Sequence, residues 1–157
     1  YTITLDVADG QTLNNVTIHL TIGTSIFANG GMVNVGNTIL SSASDFAACG
    51  GSSSFFMSNG YNLAADETCT FLTANGDLQG LDPDLNGISS PSESAAYHTP
   101  KLTSPVVNAG NPATPGSGPT ACAEDDVRTM VRTQNNRCDI GAVEIEVFRL
   151  FIPAVSK

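Results

Sequence analysis

Apolar residues recur along the chain at an interval close to 22 positions. The residues Ile18, Leu40, Leu63, Leu85 and Val107 follow one another at intervals of 22, 23, 22 and 22 positions. Three positions before each of them stands a residue that suits a turn into a strand, namely Asn15, Asn37, Gly60, Asp82 and Ser104. A fixed period of this length is typical of repeat proteins, so the pattern predicts a series of similar layers.

The pattern within each layer favours short strands over helices. Strand-like stretches with no helical period are residues 2–7, 15–22, 32–35, 38–40, 61–63 and 144–152. Turn pairs separate them at Gly30-Gly31, Gly50-Gly51 and Asn59-Gly60. Leucine-rich repeats share the period, but they need several regularly spaced leucines and an asparagine in every repeat. This sequence lacks them. The sequence therefore predicts an all-β chain of short strands wound as a coil, in about five to six short rungs followed by a C-terminal extension strand.

Length, charge and hydropathy narrow the possible partners. The 157 residues suit one domain, and 41% hydrophobic content can supply a single core. A net charge of -9 argues against nucleic acid or an anionic membrane as a partner. No apolar run approaches the roughly 20 residues of a membrane helix, so we expect no membrane span. Because no signal peptide is visible either, we expect a mature, processed chain.

Four cysteines point to an oxidising compartment. Cys49, Cys69, Cys122 and Cys138 are too widely spaced for a metal or redox CxxC motif. Proximity favours the pairs Cys49–Cys69 and Cys122–Cys138, although three pairings are possible and four buried free thiols remain an alternative. A disulfide closing a loop of this length stabilises by roughly 3 kcal/mol. We therefore expect an extracellular or cell-surface protein.

Two segments interrupt the regular pattern. Residues 112–119 are rich in proline and glycine, which predicts a surface excursion rather than an interior strand. The stretch between Cys122 and Cys138 mixes charges of both signs, which predicts a local ion-pair network. Its charged residues are Glu124, Asp125, Asp126, Arg128, Arg132 and Arg137.

Several motifs, in this order, resemble the closing rungs of bacterial surface β-helix proteins. They are Asn37-Thr38-Ile39-Leu40, Gly60-Tyr61-Asn62-Leu63, Asp82-Pro83-Asp84-Leu85, Ser104-Pro105-Val106-Val107-Asn108-Ala109-Gly110 and Cys138-Asp139-Ile140-Gly141-Ala142-Val143-Glu144. The chain is similar over residues 30–144 to the choice-of-anchor Q type, which is related in architecture to polymorphic outer-membrane protein repeats. The resemblance implies a right-handed parallel β-helix, export, a role on or outside the cell, and no established catalytic residues. Where that family has Asp-Gln-Arg-Gly, this chain has Asp126-Val127-Arg128-Thr129, without the glycine turn.

The two ends of the sequence suggest self-assembly. We divide the chain into a β-helix domain with disulfide-closed loops, residues 1–144, and an apolar tail, residues 145–157. The tail either folds back along its own coil or adds a strand to a neighbouring copy, and repeated end-to-end contacts of the second kind form an open fibre. The expected assembly interface is Tyr1, Ile3, Leu5, Val7, Phe148, Leu150, Phe151, Ile152 and Val155.

Catalytic and metal chemistry have weaker support. Asp77, Asp82 and Asp84 could supply paired carboxylates for cleaving polysaccharides, but residues 1–100 contain no Lys or Arg to stabilise a developing negative charge. In the repeat, Asp82-Pro83-Asp84 occupies a turn, where its carboxylates would accept backbone hydrogen bonds. His19 and His98 have no evident catalytic partner. Calcium is the one ion considered, at Asp82 to Asp84 or Glu124 to Asp126, and we expect no cofactor.

Three functions follow from these patterns. The leading prediction is a non-catalytic structural protein, a subunit of an extracellular filament or cell-surface assembly with copies of itself as partners. The alternative is a cell-surface adhesin whose Ser, Thr and Asn residues contact glycans or another protein. A polysaccharide lyase or hydrolase is the third.

Overall fold

The computed structural model describes residues 12–14, 17–20, 24–42, 45–91, 95–132 and 137–145. Within them, regular structure consists of one 3-10 turn, Ser53–Phe55, and short strands. The strands are β1 (Thr12–Asn14), β2 (Thr17–Leu20), β3 (Ile26–Ala28), β4 (Val33–Gly36), β5 (Ile39–Ser42), β6 (Cys49–Gly51), β7 (Phe56–Gly60), β8 (Leu63–Ala64), β9 (Leu78–Gln79), β10 (Leu85–Ser89) and β11 (Tyr97–Pro100). The described part of the chain is thus all-β, as predicted. It contains no helix with the length and hydrophobicity needed to cross a bilayer.

Three of the four sheets are parallel, and the chain visits them in turn. Their strand orders are β1-β4-β7, β2-β5-β8-β9 and β3-β6. Thr12 pairs with Asn34 and Thr17 with Ile39, each 22 positions on, and Ile26 pairs with Cys49, 23 positions on. One return of the chain therefore lays β4, β5 and β6 beside β1, β2 and β3, and the next adds β7 and β8 to two of the sheets. The intervals of these first pairings confirm the predicted period.

The predicted register holds for one layer and then slips by one residue. Ile18 lies opposite Leu40, as predicted, but Leu63 lies opposite Ile39. The slip arises between β4 and β7, where Val35 pairs with Ser58 and Gly36 with Gly60, leaving Asn59 as an extra residue. Such a β-bulge lengthens one layer by a residue and shifts everything that follows it.

The interval of about 22 positions between paired residues does not continue after β8. Leu78 of β9 pairs with Leu63 only 15 positions before it, so this return of the chain is much shorter than the others. Leu85 then begins an antiparallel hairpin, β10–β11, and Val107 lies in a turn. Pro83 offers a physical reason, because its nitrogen has no hydrogen to donate to a continuing parallel ladder. The prediction that Leu85 and Val107 continue the same stack was wrong.

The interior consists of three apolar clusters between the sheets, each drawn from successive layers. One contains Leu40, Ala48, Cys49, Ala64, Cys69 and Leu72, a second Ala28, Val33, Val35 and Phe56, and the third Ile39, Leu63, Val106 and Ile140. β4 begins with an alternation, in the buried, half-buried, buried order of Val33, Asn34 and Val35. Burial of alternate side chains on successive layers is what stabilises such a stack.

Both disulfides pair as predicted. Cys49 and Cys69 are joined with their Cα atoms 5.0 Å apart, and Cys122 and Cys138 with theirs 6.6 Å apart. The first lies inside an apolar cluster, while the second ties the proline-rich loop to the C-terminal segment. That loop, residues 112–119, has no strand and is largely exposed, as its composition predicted.

Candidate functional site

The closing segment of the described chain carries a cluster of buried charges. We name Asp126, Arg128, Arg132, Asp139 and Glu144 the C-terminal ionic cluster. Arg132 is 2% exposed and Asp139 is fully buried. A guanidinium nitrogen of Arg132 lies 3.2 Å from Glu144, and one of Arg128 lies 2.7 Å from Asp126. Charges buried to this degree persist only when they are paired and hydrogen-bonded.

The carboxylates of Asp139 and Glu144 hold the C-terminal backbone and one loop that is distant in sequence. Asp139 accepts hydrogen bonds of 2.6 Å from the amides of both Asn108 and Ile145. Glu144 accepts one of 2.9 Å from the Asp139 amide. These segments have no strand partner, so their backbone N–H groups donate to the two carboxylates instead of to a neighbouring strand.

Asp126 performs the same task on the neighbouring loop. Its oxygens accept from the amides of Arg128 at 2.7 Å, Met130 at 3.1 Å and Glu144 at 3.0 Å. The Arg128 guanidinium donates to the same carboxylate at 2.8 Å. This turn is therefore organised by one aspartate, with Thr129 at a φ of 63°.

Arg132 connects the cluster to the C-terminal backbone. It donates to the carbonyls of Gly141 at 2.7 Å and Asp139 at 3.3 Å, besides its pair with Glu144. Its Nε is buried and has no hydrogen-bond acceptor. The segment is held as well by amides of Ile140 and Gly141, which donate to the carbonyls of Val106 and Asn37 at 3.0 and 2.9 Å.

Burial sets the protonation behaviour of the cluster. It raises the pKa of both Asp139 and Glu144, although amide hydrogen bonds and the nearby arginines oppose it. Burial also tends to raise the pKa of Asp126. Hydrogen bonds from Arg128 and from three amides outweigh this effect, so the pKa of that carboxyl is lowered. Burial lowers the pKa of Arg132, against the pull of the three carboxylates.

The cluster can fasten backbone segments together, but its buried groups are not presented to a substrate. Perturbed carboxylates beside arginine resemble catalytic sites elsewhere, yet catalysis needs a cleft that reaches them. Here Asp126, Arg132, Asp139 and Glu144 are each at most 6% exposed.

The predicted local ion-pair network forms only in part inside the Cys122–Cys138 loop. Asp126 and Arg128 pair within it, but the partner of Arg132 is Glu144, outside the loop. Arg137 instead donates to the carbonyls of Ala109 and Gly110 and lies 5.4 Å from the Tyr61 ring centre. Arg132 reaches Glu144 because the C-terminal segment packs beside the loop in the folded chain. Glu124 and Asp125 are exposed.

The aspartates considered for catalysis have hydrogen-bonding partners in the protein. Asp77 accepts from Ser58 at 2.6 Å, from the Ala74 amide at 2.8 Å and from the Asn62 amide at 3.0 Å. Asp82 accepts from the Asp84 amide at 2.8 Å, as predicted for this turn. Asp84 pairs with Lys101 and accepts from Thr103.

Two fully buried asparagines join successive layers, and the sequence indicated only that Asn37 suited a turn. Asn37 has a φ of 48°, donates to the Asn14 side chain at 2.9 Å and accepts from the Asn111 amide at 2.9 Å. Asn62 accepts from the Thr38 amide at 3.0 Å and donates to the Val35 carbonyl at 3.1 Å. A motif with asparagine at a layer corner was the available signal, but its burial depends on which layers meet.

Metal-binding groups are not gathered together in the described residues, where no three His, Cys, Asp or Glu side chains form a group able to hold an ion. Of the two stretches considered for calcium, Asp126 directs its oxygens to amides and Arg128, and Asp84 directs its oxygens to Lys101 and Thr103. His98 Nδ1 lies 2.9 Å from the Asn86 carbonyl oxygen. The His19 side chain lies outside the described part of the structure.

The expected assembly interface also lies outside the described residues. This applies to all nine of its members, Tyr1, Ile3, Leu5, Val7, Phe148, Leu150, Phe151, Ile152 and Val155. The proposed division at residue 144 is likewise untested, since only Ile145 of the tail is described.

Comparison with protein-family models, curated proteins and solved structures finds no match for this chain. The resemblance to choice-of-anchor Q proteins therefore rests on the motifs. One of those motifs, Cys138 to Glu144, contributes a disulfide cysteine and two carboxylates of the C-terminal ionic cluster.

Proposed function

We propose that this chain is a non-catalytic structural protein of the choice-of-anchor Q type, a right-handed parallel β-helix that stacks head to tail in an extracellular filament or cell-surface assembly. One observation carries the proposal: the three parallel sheets begin, within the described residues, with β1, β2 and β3, which the chain lays down consecutively. The outer backbone edges of these strands belong to one layer and lie on the same side of the stack.

Such a layer is suited to receive another layer of the same kind. In a parallel ladder each strand pairs on two sides, so the edge of a terminal strand is a template for a further strand. A copy that docks strands against this edge would continue the ladders of β1, β2 and β3. Because this contact joins different surfaces of the two copies, it repeats without closing unless the rotation forms a ring.

We propose that the apolar segment 148–155 is buried at this contact and stabilises it. It contains Phe148, Leu150, Phe151, Ile152 and Val155, with Arg149 as its one charged residue. Burying such side chains stabilises by about 1.5–3 kcal/mol each, which is enough for a few of them to favour association.

Two further observations support the location and the lack of catalysis. Disulfides persist in oxidising environments, and the described chain contains two. The aspartates that could have served in polysaccharide cleavage accept hydrogen bonds from the protein itself. We therefore expect no cleavage of acidic polysaccharides. Cleavage that is lost on replacing Asp82 or Asp84 would contradict the proposal.

Electron micrographs of negatively stained protein test the assembly. We expect filaments from the full chain and dispersed particles from a variant lacking residues 147–157. A matched variant that replaces Phe148, Phe151 and Ile152 by Ser keeps the chain length and should also stay dispersed. Equal polymerisation of these variants would refute the tail's role, and a full chain that stays monomeric at high concentration would favour the adhesin.

A further inference from the structure

A shallow groove of about 400 Å³ opens on the surface beside β7 and the 3-10 turn. Its lining includes Ser53 and Ser54 of the 3-10 turn and Thr70 and Thr73 of the segment that follows Cys69. The volume is within the range of small-ligand sites, which is roughly 300–1,000 Å³. The groove lies apart from the C-terminal ionic cluster, with which it shares no residue.

The lining combines hydroxyl groups with an apolar floor. Five of its side chains carry hydroxyls: Ser53, Ser54, Ser58, Thr70 and Thr73. The others are Phe56, Met57 and Phe71, and the two phenyl rings are stacked with centres 4.5 Å apart and planes 11° apart. Phe71 is half-buried and Met57 is 50% exposed, so both can contact a ligand.

The charge of the lining restricts the ligand class. None of the described residues that line the groove is Asp, Glu, Lys, Arg or His. A phosphate or carboxylate ligand is normally met by Arg or Lys, and a cationic one by carboxylates. Hydroxyl groups that can donate and accept, next to aromatic and thioether surface, suit a ligand that is neutral, rich in hydroxyls and apolar on one face. A sugar ring has this combination.

The groove is rigidly supported from beneath. Ser58 donates to Asp77 at 2.6 Å and accepts from the Gly60 amide at 3.0 Å, which fixes the floor of β7. The Cys49–Cys69 disulfide holds the opposite wall next to Thr70. Preformed walls reduce the entropy lost on binding, so a few hydroxyl contacts can give measurable affinity.

We propose that this groove binds a neutral saccharide chain, through the hydroxyls of Ser53, Ser54, Thr70 and Thr73 and the apolar surface of Met57 and Phe71. Charged polysaccharides are excluded as preferred ligands by the uncharged lining. The groove lies beside β7, the last strand of its sheet, at the end opposite β1. A filament that used this end would cover the groove, so binding is measured on dispersed protein.

Methionine methyl groups provide a direct test on the full chain. The sequence has three methionines; Met57 lines the groove, whereas Met130 lies in the loop of the ionic cluster. Protein labelled with ¹³C at its methionine methyls is titrated with neutral hexasaccharides of glucose, mannose and N-acetylglucosamine, and with oligogalacturonate as the charged comparison. We expect the Met57 resonance to move with at least one neutral sugar, with a Kd on the order of 1 mM, while Met130 stays fixed.

Two variants with the same charge change complete the test. Thr70→Arg fills the groove and should weaken binding at least tenfold, while Ser117→Arg, on the exposed proline-rich loop, should leave the Kd unchanged. Unchanged Met130 chemical shifts in Thr70→Arg would show that its fold is intact. The proposal would be overturned if the Met57 resonance moved with none of the neutral sugars. Equal binding by the two variants, or a preference for oligogalacturonate, would also overturn it. Filament formation is scored separately, so either proposal can fail without the other.

Discussion

Replacing Asn62 by Leu tests how the layers are joined. The Asn62 side chain is fully buried and contacts groups from two layers. It accepts from the Thr38 amide at 3.0 Å and donates to the Val35 carbonyl at 3.1 Å, to Ser58 at 3.0 Å and to Asp77 at 2.9 Å. Leu has the same number and branching of side-chain heavy atoms, so the change removes the polar contacts without opening a cavity.

The cost can be worked from those contacts. The amide of Thr38, a fully buried residue, would lose its acceptor, which costs about 2 kcal/mol. Loss of the bonds to Val35 and Asp77 costs about 1 kcal/mol each, and burial of the more apolar Leu returns about 1 kcal/mol. We therefore expect a net loss of about 3 kcal/mol, which lowers Tm by about 6–12 °C in a chain of this size.

Urea unfolding with the disulfides intact, followed by far-ultraviolet circular dichroism, measures this difference in a chain without Trp. Asn75→Leu is the matched control, because Asn75 is exposed and its side chain makes one bond, of 2.8 Å, to the Tyr61 hydroxyl. We expect the control to lose about 0.5 kcal/mol. If the two variants differed by less than about 1 kcal/mol, Asn62 would not be a joint between layers.

Two further changes address the sheets and the ionic cluster. Gly51 has a φ of 87°, and a Cβ there would lie 1.9 Å from the Ala28 carbonyl oxygen, so Gly51→Ala should cost about 3 kcal/mol or more in urea unfolding. Gly118→Ala, where a Cβ meets nothing within 4 Å, should cost almost nothing; similar losses for both would contradict the close approach of β3 and β6. Burial raises the pKa of Glu144, so the fold favours its protonated form and this contribution to stability is lost as pH rises through the folded-state pKa. Glu144→Gln keeps a carbonyl acceptor and should flatten that decline in unfolding free energy as pH rises above the ordinary glutamate pKa of 4.5; an unchanged slope would contradict the assignment.

The sequence was sufficient to predict the features that depend on local spacing. The parallel pairing of Ile18 with Leu40 follows from the period, and the two disulfides follow from proximity along the chain. The bond from the Asp84 amide to Asp82 is likewise a local turn property. Each of these needs only residues that are near in sequence or one layer apart.

Features that depend on how distant segments meet were not predictable in this way. The bulge at Asn59 shifts Leu63 by one position, although the apolar spacing alone favours the unshifted register. The pairing of Arg132 with Glu144 depends on the C-terminal segment packing beside the loop. Asn62 in sequence is an ordinary polar residue at a layer corner, and its burial emerges only when Val35, Ser58 and Asp77 surround it.

The central claim is that the layers of one copy continue into the next. Helical reconstruction by cryo-electron microscopy tests it most directly, at a resolution that separates neighbouring strands. The account predicts filaments in which strands of one copy lie about 4.8 Å from β1, β2 and β3 of its neighbour and parallel to them. Discrete monomers, or filaments whose copies touch only through their side walls, would contradict it.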